Sequence, residues 1–588
     1  MNDASRIGCH CWGSSEASVA GLPVAAEVGC RWVRATRPMQ MDHVLVAPGR
    51  YDFAGRGEKS VDLALAHGMS VMGILDARWG NETGLNMLGF CSPVWEHLEV
   101  WEDFVRQAVA FYRGRVRHWE VLNEPPFFWW HPTAPGVRMP EKNPPLRRAP
   151  LRHYVALLKA SARAIRETDP VAKVVLGAGF PDGAFLRRMY ELGARDDFDI
   201  ASVHYLSCRH PDDFARGHRL LRGVMEANGD AHKPLWDTEN GPHGAVIDQW
   251  VKTPAEYEAL FNVYRHCFAH ECGLERYFWF NSEPGRRNAA GGLAAPYRAM
   301  KNLHAFLGER RLLGTRHDGG EAHLYVFEGP VSILWATAPA RARLSGGKVT
   351  ATTHLGEEVT LDGEFDLTGA PLFVRADLRG ELEFTVTGRR EAVIVSMKEP
   401  SAEVPFLRVT RKGVRVAVPA AETSDHFCRV PTSVTGELEV AFDEKAMKLR
   451  ARLDGGGETG LVQFSLRDRD PSVAEWGYFT GGTALISLFV GREGPMVLRH
   501  ESLRPDLYPP GRVARARIEV RGGEICAEIP WEEIGPCRPG RHEPFLLQAT
   551  LCRVDHLLDT EEPSEAPHNF VDPFIVKRPA LARWLTFL

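Results

Sequence analysis

Eight short apolar runs, each followed by a segment of helical periodicity, fill the chain from its start to about residue 305. The runs are "RIGCHCW", "CRWVRA", "MSVMGILDA", "VRHWEVLNE", "KVVLGAG", "FDIASVHYL", "KPLWDTENG" and "RYFWFN". Most are nearly continuous hydrophobics rather than alternating ones, the pattern of parallel strands buried on both faces. Between them, "DFVRQAVAFYRGRV" puts Phe104, Ala108, Phe111 and Tyr112 on one helical stripe. "HYVALLKASARAIRETDP" stops at Asp169-Pro170. Thr253 and Glu256 form a capping box around Pro254, and Gly273 ends that helix. Eight strands with interleaved helices predict an α/β fold, a (β/α)8 TIM barrel over residues 1–308. The structural alternative is an open doubly wound sheet, but no glycine-rich phosphate turn follows the first strand.

After about residue 310 the helices stop and short strands with Gly and Asp turns take over. We read 309–397 as an accessory β-sandwich, 398–405 ("KEPSAEVP") as a linker, and 406–588 as a second all-β sandwich. A chain of 588 residues has room for all three.

A net charge of -5 gives no reason to expect nucleic acid or a membrane surface as partner. "MNDASRIGCHCWG" carries no apolar run behind a basic start, and the 11 cysteines show no metal-ligand pairs. A cytoplasmic protein with free thiols is the expectation. The 15 tryptophans suit stacking on sugars, though core packing is their commoner use.

In such a barrel, reactive groups sit at the C-terminal ends of the strands. Those ends offer His10 and Trp12, Arg34, Asp76 and Trp79, Asn123 and Glu124, His204 and Tyr205, Asp237 and Glu239, and Trp279 and Asn281. Glu124 on strand 4 and Glu239 on strand 7 would face one another across the opening. Two such carboxyls are what a retaining glycosidase needs: one protonates the leaving oxygen, the other attacks the anomeric carbon.

"WEVLNEP" resembles the strand-4 acid/base motif of clan A glycoside hydrolases, and "LWDTENG" resembles the strand-7 nucleophile motif of the same clan. The resemblance covers roughly residues 5–305, and several clan A families, family 39 among them, append a β-sandwich as here. It implies Glu124 as general acid/base and Glu239 as nucleophile. It further implies that Asn123 bonds the sugar 2-hydroxyl, that Arg34 supports the nucleophile and that His204 or Tyr205 orients it. Trp279 would be the platform under the sugar, and His10 would reach its outer hydroxyls. No cofactor is expected. The partner would be a carbohydrate or glycoside, and a homo-oligomer is compatible with the sequence. Residues 406–588 resemble family 9-like carbohydrate-binding modules through "AEWGYFTGG" and "HNFVDPF", with Trp476 and Tyr478 as stacking residues.

Other roles compete. Glu239 could be a barrel ion pair with Arg34, and Asp237, two residues earlier on the same strand face, could be a buried partner of Arg34. Glu283 is a rival carboxylate. Phe127, Phe128, Trp129 and Trp130 could line a leaving-group subsite or simply anchor their loop. No C-x-x-C pair points to a metal, and no G-x-S-x-G elbow to a serine hydrolase. A barrel that binds carbohydrate without turnover, or a transglycosylase using the same residues, are the functional alternatives. On a regular strand Asn123 and Glu124 face opposite ways, so a joint role requires a twist or bulge there.

Overall fold

The structure is a computed structural model. It describes residues 5–11, 19–35, 37–77, 94–125, 129–130, 147–148, 151–179, 183–204, 211–241, 244–248, 250–280, 287, 291–319, 321–388 and 392–396. In the C-terminal part it describes 406–409, 414–418, 436–443, 445–454, 461–467, 484–491, 494–501, 511–534, 545–552 and 582–587. The chain divides into two compact units, one of residues 1–125, 133–137 and 152–392, the other of 126–132, 138–151 and 393–588.

The first unit opens with eight parallel strands: β1 (Ile7–Cys11), β2 (Trp32–Ala35), β3 (Ser70–Leu75), β4 (Val116–Val121), β5 (Lys173–Val175), β6 (Ala201–Val203), β7 (Leu235–Asn240) and β8 (Arg276–Trp279). A helix follows each: α1 (Leu22–Glu27), α2 (Glu58–Ala66), α3 (Leu98–Phe111), α4 (Leu151–Thr168), α5 (Ala184–Glu191), α6 (Pro211–Ala227), α7 (Pro254–Glu271) and α8 (Ala295–Leu307). Each strand pairs with its neighbour in sequence, and β1 pairs with β8. The ring closes between β5 and β6 through parallel bridges Val175–Ile200 and Gly179–Val203. Closure excludes the open doubly wound sheet. The fold is the (β/α)8 barrel that the strand runs predict.

Alternation along the strands decides what lies inside. In register, Gly8 meets Trp32 and Phe278, and His10 meets Arg34. A Cβ at Gly8 would come within 2.5 Å of the Phe278 ring, so glycine leaves room for that side chain in the barrel interior. The N-terminal floor is filled by Trp32, His118 and Trp236, whose rings lie 5.0–5.4 Å apart, with the Arg276 guanidinium 4.3 Å from the Trp32 ring. Cation–π contact gives that buried charge a partner. The expected capping box forms at α7: Thr253 Oγ1 accepts from the Glu256 N–H, and Glu256 Oε2 accepts from the Thr253 N–H.

After the barrel, nine strands follow in this unit: β9 (Leu312–Asp318), β10 (Ala322–Phe327), β11 (Val331–Ala336), β12 (Ala340–Leu344), β13 (Val349–Thr353), β14 (Glu358–Leu361), β15 (Glu364–Leu367), β16 (Leu372–Val374) and β17 (Leu382–Val386). They form a sheet in the order β9-β10-β11-β16-β13-β14 and a second in the order β15-β12-β17. On β12, Ala340, Ala342 and Leu344 point inward and the arginines between them outward. These residues join Leu324, Val326, Leu334 and Val374 in one core. The sandwich docks on α7 and α8 of the barrel. Tyr264 stacks on Trp335 with centroids 4.9 Å apart, Phe306 stacks on Phe373 at 5.0 Å, and Tyr325 donates to Glu271 at 2.6 Å.

The second unit is also built of strands. One sheet joins Phe406–Val409, Ala582–Phe587, Phe545–Cys552, Leu461–Arg467, Ala484–Gly491, Gly494–Glu501 and Gly511–Arg512. The other joins Val414–Val418, Gly436–Phe442, Ala446–Leu453, Glu524–Pro530 and Arg517–Arg521. Trp476, Tyr478 and "HNFVDPF" lie outside the described residues. Among the described residues no helix is long and apolar enough to cross a membrane.

Candidate active site

Arg34 on β2 has no exposed surface. A guanidinium in that position needs carboxylates, because desolvation of an unpaired charge costs several kcal/mol. It has two. Nε donates to Glu120 Oε2 at 2.6 Å, and Nη1 donates to Glu239 Oε1 at 2.5 Å. Nη2 reaches Glu120 Oε1 at 3.1 Å and Asn123 Oδ1 at 2.7 Å, and Nη1 lies 3.2 Å from His10 Nε2. One planar group on β2 thus gathers side chains from β1, from β4 and the turn after it, and from β7. With its Oδ1 held by Arg34, the Asn123 amide turns its N–H donors elsewhere.

The end of β4 is where the strand geometry breaks. Leu122 has φ 62° and Glu124 has φ 46°, left-handed conformations that cost a non-glycine residue about 1–3 kcal/mol. They flank Asn123, and they let Asn123 and Glu124 both face the barrel mouth. Packing holds the turn. The Tyr154 hydroxyl donates to the Val121 carbonyl at 3.1 Å and accepts from the Gly177 N–H at 2.7 Å. A Cβ at Gly177 would lie 2.5 Å from the Val121 oxygen and 2.7 Å from the Leu122 oxygen. Only glycine fits beside this turn.

Strand β7 solves the same problem differently. Its register against β8 slips between Asp237 and Asn240, so three steps on β7 match two on β8. The bulge turns both Thr238 and Glu239 inward, where each meets barrel-interior partners. It also displaces Asp237 from its expected place. Asp237 accepts from the Asn240 amide, and the carboxylates that pair with Arg34 are Glu120 and Glu239.

His204, fully buried at the end of β6, sits between the two glutamates. Its Nδ1 is 2.8 Å from Glu124 Oε1 and 3.7 Å from Glu239 Oε2, and its Nε2 is 3.1 Å from Thr238 Oγ1. Burial pulls its pKa down to about 4, so the ring is neutral at pH 7. Burial pushes the Glu239 carboxyl up and Glu124 adds to this, while His204 and Arg34 oppose it. Despite burial, Glu120 and Glu239 hold Arg34 above the usual arginine range. The two catalytic candidates are themselves nearly enclosed, Glu124 7% and Glu239 3% exposed.

One donor atom each from Glu124, His204 and Glu239 lie within 4.8 Å of one another. Such a trio could ligate a metal ion, but the Arg34 guanidinium already occupies Glu239 and would repel a second cation.

The structure therefore brings together Glu124, Glu239, Asn123, Arg34, His204 and His10. It does not bring Trp279 to them. That residue aligns with Cys9, on the outward parity of the strands. Its indole N–H donates to Glu258 of α7 at 3.0 Å, and its ring packs 4.6 Å from Tyr297 of α8. The inward aromatic at this end is Phe280, stacked 5.6 Å from His10. Tyr205, Trp79, Asn281, Glu283, Phe127 and Phe128 lie outside the described residues, as do the side chains of Trp129 and Trp130. Sequence reasoning missed Glu120, Thr238 and Phe280. A glutamate inside the apolar run "HWEVL" was a signal for the first, since buried carboxylates require a cation. Phe280 left no such signal, because its direction depends on the register of β8 with β1.

The (β/α)8 barrel is a fold that this chain shares with solved glycoside hydrolases. A family 39 glycoside hydrolase from Bacteroides cellulosilyticus shares this fold at TM-score 0.51 and 17% identity, over 64% of this chain and 81% of that one. A glucosidase from Croceicoccus marinus aligns at TM-score 0.41 and 14% identity, over 62% of this chain and 92% of that one. The xylanase 10B of Thermotoga maritima aligns at TM-score 0.36 and 18% identity, over 50% and 94%. No protein-family model and no curated relative matches the chain.

Proposed function

We propose that the protein is a retaining glycoside hydrolase that cleaves an O-glycosidic bond by double displacement, of the β-glycosidase or β-xylosidase type. The observation that carries this reading is the spacing of the two carboxyls. An oxygen of Glu124 and an oxygen of Glu239 lie within 4.8 Å. That approach is on the side of the roughly 5–5.5 Å carboxyl separation of retaining enzymes rather than the roughly 6.5–9.5 Å that inverting enzymes leave for a water.

The steps follow from the contacts. The Glu239 carboxylate, oriented by Arg34, attacks the anomeric carbon as the bond to the leaving oxygen breaks. Glu124 gives its proton to that oxygen. Glu124 then takes a proton from water, whose oxygen attacks the same carbon and releases Glu239. Asn123 faces the same opening, ready to bond the sugar's 2-hydroxyl as that contact strengthens in the transition state.

A screen of aryl glycosides (xylose, glucose, galactose, arabinose, uronic acids) tests the reading. Glu239→Ala should abolish turnover on the substrate found, and azide should restore it. Glu239→Ala turning over at the wild-type rate would refute the nucleophile assignment. Turnover of no glycoside would leave the binding-only alternative, and sugar products longer than the substrate would identify a transglycosylase.

A further inference from the structure

We infer that Thr238 and Glu120 are positioning residues that fix the ring proton of His204 on Nε2 and so keep the acid proton on Glu124. The inference rests on the acid/base reading of Glu124 and deepens it.

Hydrogen-bond polarity fixes where each proton lies. Glu120 is gripped by Arg34 at 2.6 and 3.1 Å, the geometry of a guanidinium on a carboxylate. An ionised carboxylate only accepts. The Thr238 hydroxyl, 3.1 Å from Glu120 Oε1, must therefore give its single proton to that oxygen. Having spent it, Thr238 Oγ1 can only accept across the 3.1 Å contact to His204 Nε2. Nε2 thus carries the hydrogen. A neutral imidazole has one N–H, so Nδ1 is left as an acceptor. The 2.8 Å contact from Nδ1 to Glu124 Oε1 then requires the hydrogen to lie on Glu124.

The surroundings keep the ring neutral. His204 is fully buried, and it faces Arg34 from β2, Glu120 from β4, Glu124 from the turn after β4, and Glu239 from β7. Desolvation outweighs the pull of Glu239 and Glu120, and the nearby guanidinium adds to it. Glu239 is too far from Nδ1, at 3.7 Å, to compete for a hydrogen bond. The relay thus gives the two glutamates opposite hydrogen-bonding partners. Glu239 receives donors from Arg34, while Glu124 meets an acceptor on His204. Splitting two carboxyls by their partners is how one site holds an acid and a nucleophile at once.

Two readouts test the relay. Nitrogen-15 NMR of the histidine-labelled protein, with His204 assigned by its loss in His204→Gln, should show the Nε2–H tautomer at pH 7. An Nδ1–H tautomer or an imidazolium there overturns the inference, whether or not a substrate has been found. Thr238→Val removes the hydroxyl at nearly constant shape. It should lower kcat/KM for an aryl glycoside with a poor leaving group about ten-fold more than for a dinitrophenyl glycoside, which needs little protonation. The alkaline limb of its pH profile should move to lower pH, and Thr238→Ser should restore both. Equal losses on both substrates with an unmoved limb would overturn the relay alone. A wild-type protein that cleaves no glycoside would instead overturn the glycosidase reading and leave the tautomer to stand or fall by NMR.

Discussion

Arg34 Nη1 donates to Glu239 Oε1 across 2.5 Å while Nε of the same guanidinium donates to Glu120 Oε2 at 2.6 Å. A single cation therefore serves two buried carboxylates, one of which is the proposed nucleophile. Arg34→Met should leave both without a counter-charge. Removing one partner of a buried pair typically costs about 3–5 kcal/mol. Urea unfolding at pH 7 should show a loss of that size, with part of it regained at pH 5 as the stranded carboxyls take up protons. Arg34→Lys keeps the charge but has no fork to span Glu120, Glu239 and Asn123, so turnover should fall even where folding survives.

Gly177 sits against the left-handed turn that presents Glu124. Gly177→Ala would drive a methyl against the Val121 and Leu122 carbonyl oxygens, atoms that cannot rotate away. Overpacking of this kind costs about 1–3 kcal/mol. If the turn yields instead, Glu124 moves, and a shift of about 1 Å at a catalytic group can cost about 100-fold in rate. Denaturation and kcat/KM measured on the same variant should show at least one of these losses. Tyr154→Phe, which removes the staple between Val121 and Gly177, should lose in the same direction without adding bulk.

Glu258 on α7 is a buried carboxyl outside the site, and burial raises its pKa from 4.5 to about 7. Its folded pKa exceeds its unfolded one. Its stabilising contribution is complete below pH 4.5 and is lost as pH rises through about 7, because the unfolded chain ionises first. A shift of this size corresponds to about 3 kcal/mol. Glu258→Gln can still accept from the Trp279 indole, so it should match the wild type near pH 4.5 and exceed it by up to about 3 kcal/mol at pH 8 in chemical denaturation. Equal stabilities at both pH values would contradict the assignment.

Trp335 joins the accessory sandwich to the barrel by stacking on Tyr264 of α7 and on Tyr325, the latter at 5.0 Å. Trp335→Ala should cost about 3–5 kcal/mol, the usual range for a large buried aromatic. Because the ring touches both the barrel helix and the sandwich, thermal unfolding should become less cooperative as well as earlier.

The barrel was legible in the sequence because eight buried parallel strands leave a signal that local pattern reading detects. The ends of strands 4 and 7 were legible for the same reason: a strand that stops on a carboxylate is unusual. Side-chain direction at the strand ends was not legible. At β7 a bulge turned Thr238 inward and took Asp237 away from Arg34, and a bulge reflects pairing with β8, which lies far along the chain. At β8 the choice between Trp279 and Phe280 depended on the register with β1, another long-range pairing. Glu120 stood out as a charge inside an apolar run, but its partner Arg34, 86 residues away, could not be read from that run. By contrast, the break between Asn123 and Glu124 could be inferred from chemistry alone, and it is there as positive φ at Leu122 and Glu124.

The central claim is that Glu124 and Glu239 act by double displacement. Its most direct test is proton NMR of the sugar released in the first minutes from the aryl glycoside found by screening, before mutarotation. The account predicts that the first-formed product keeps the anomeric configuration of the substrate. A first-formed product of inverted configuration would contradict it, whatever the rates.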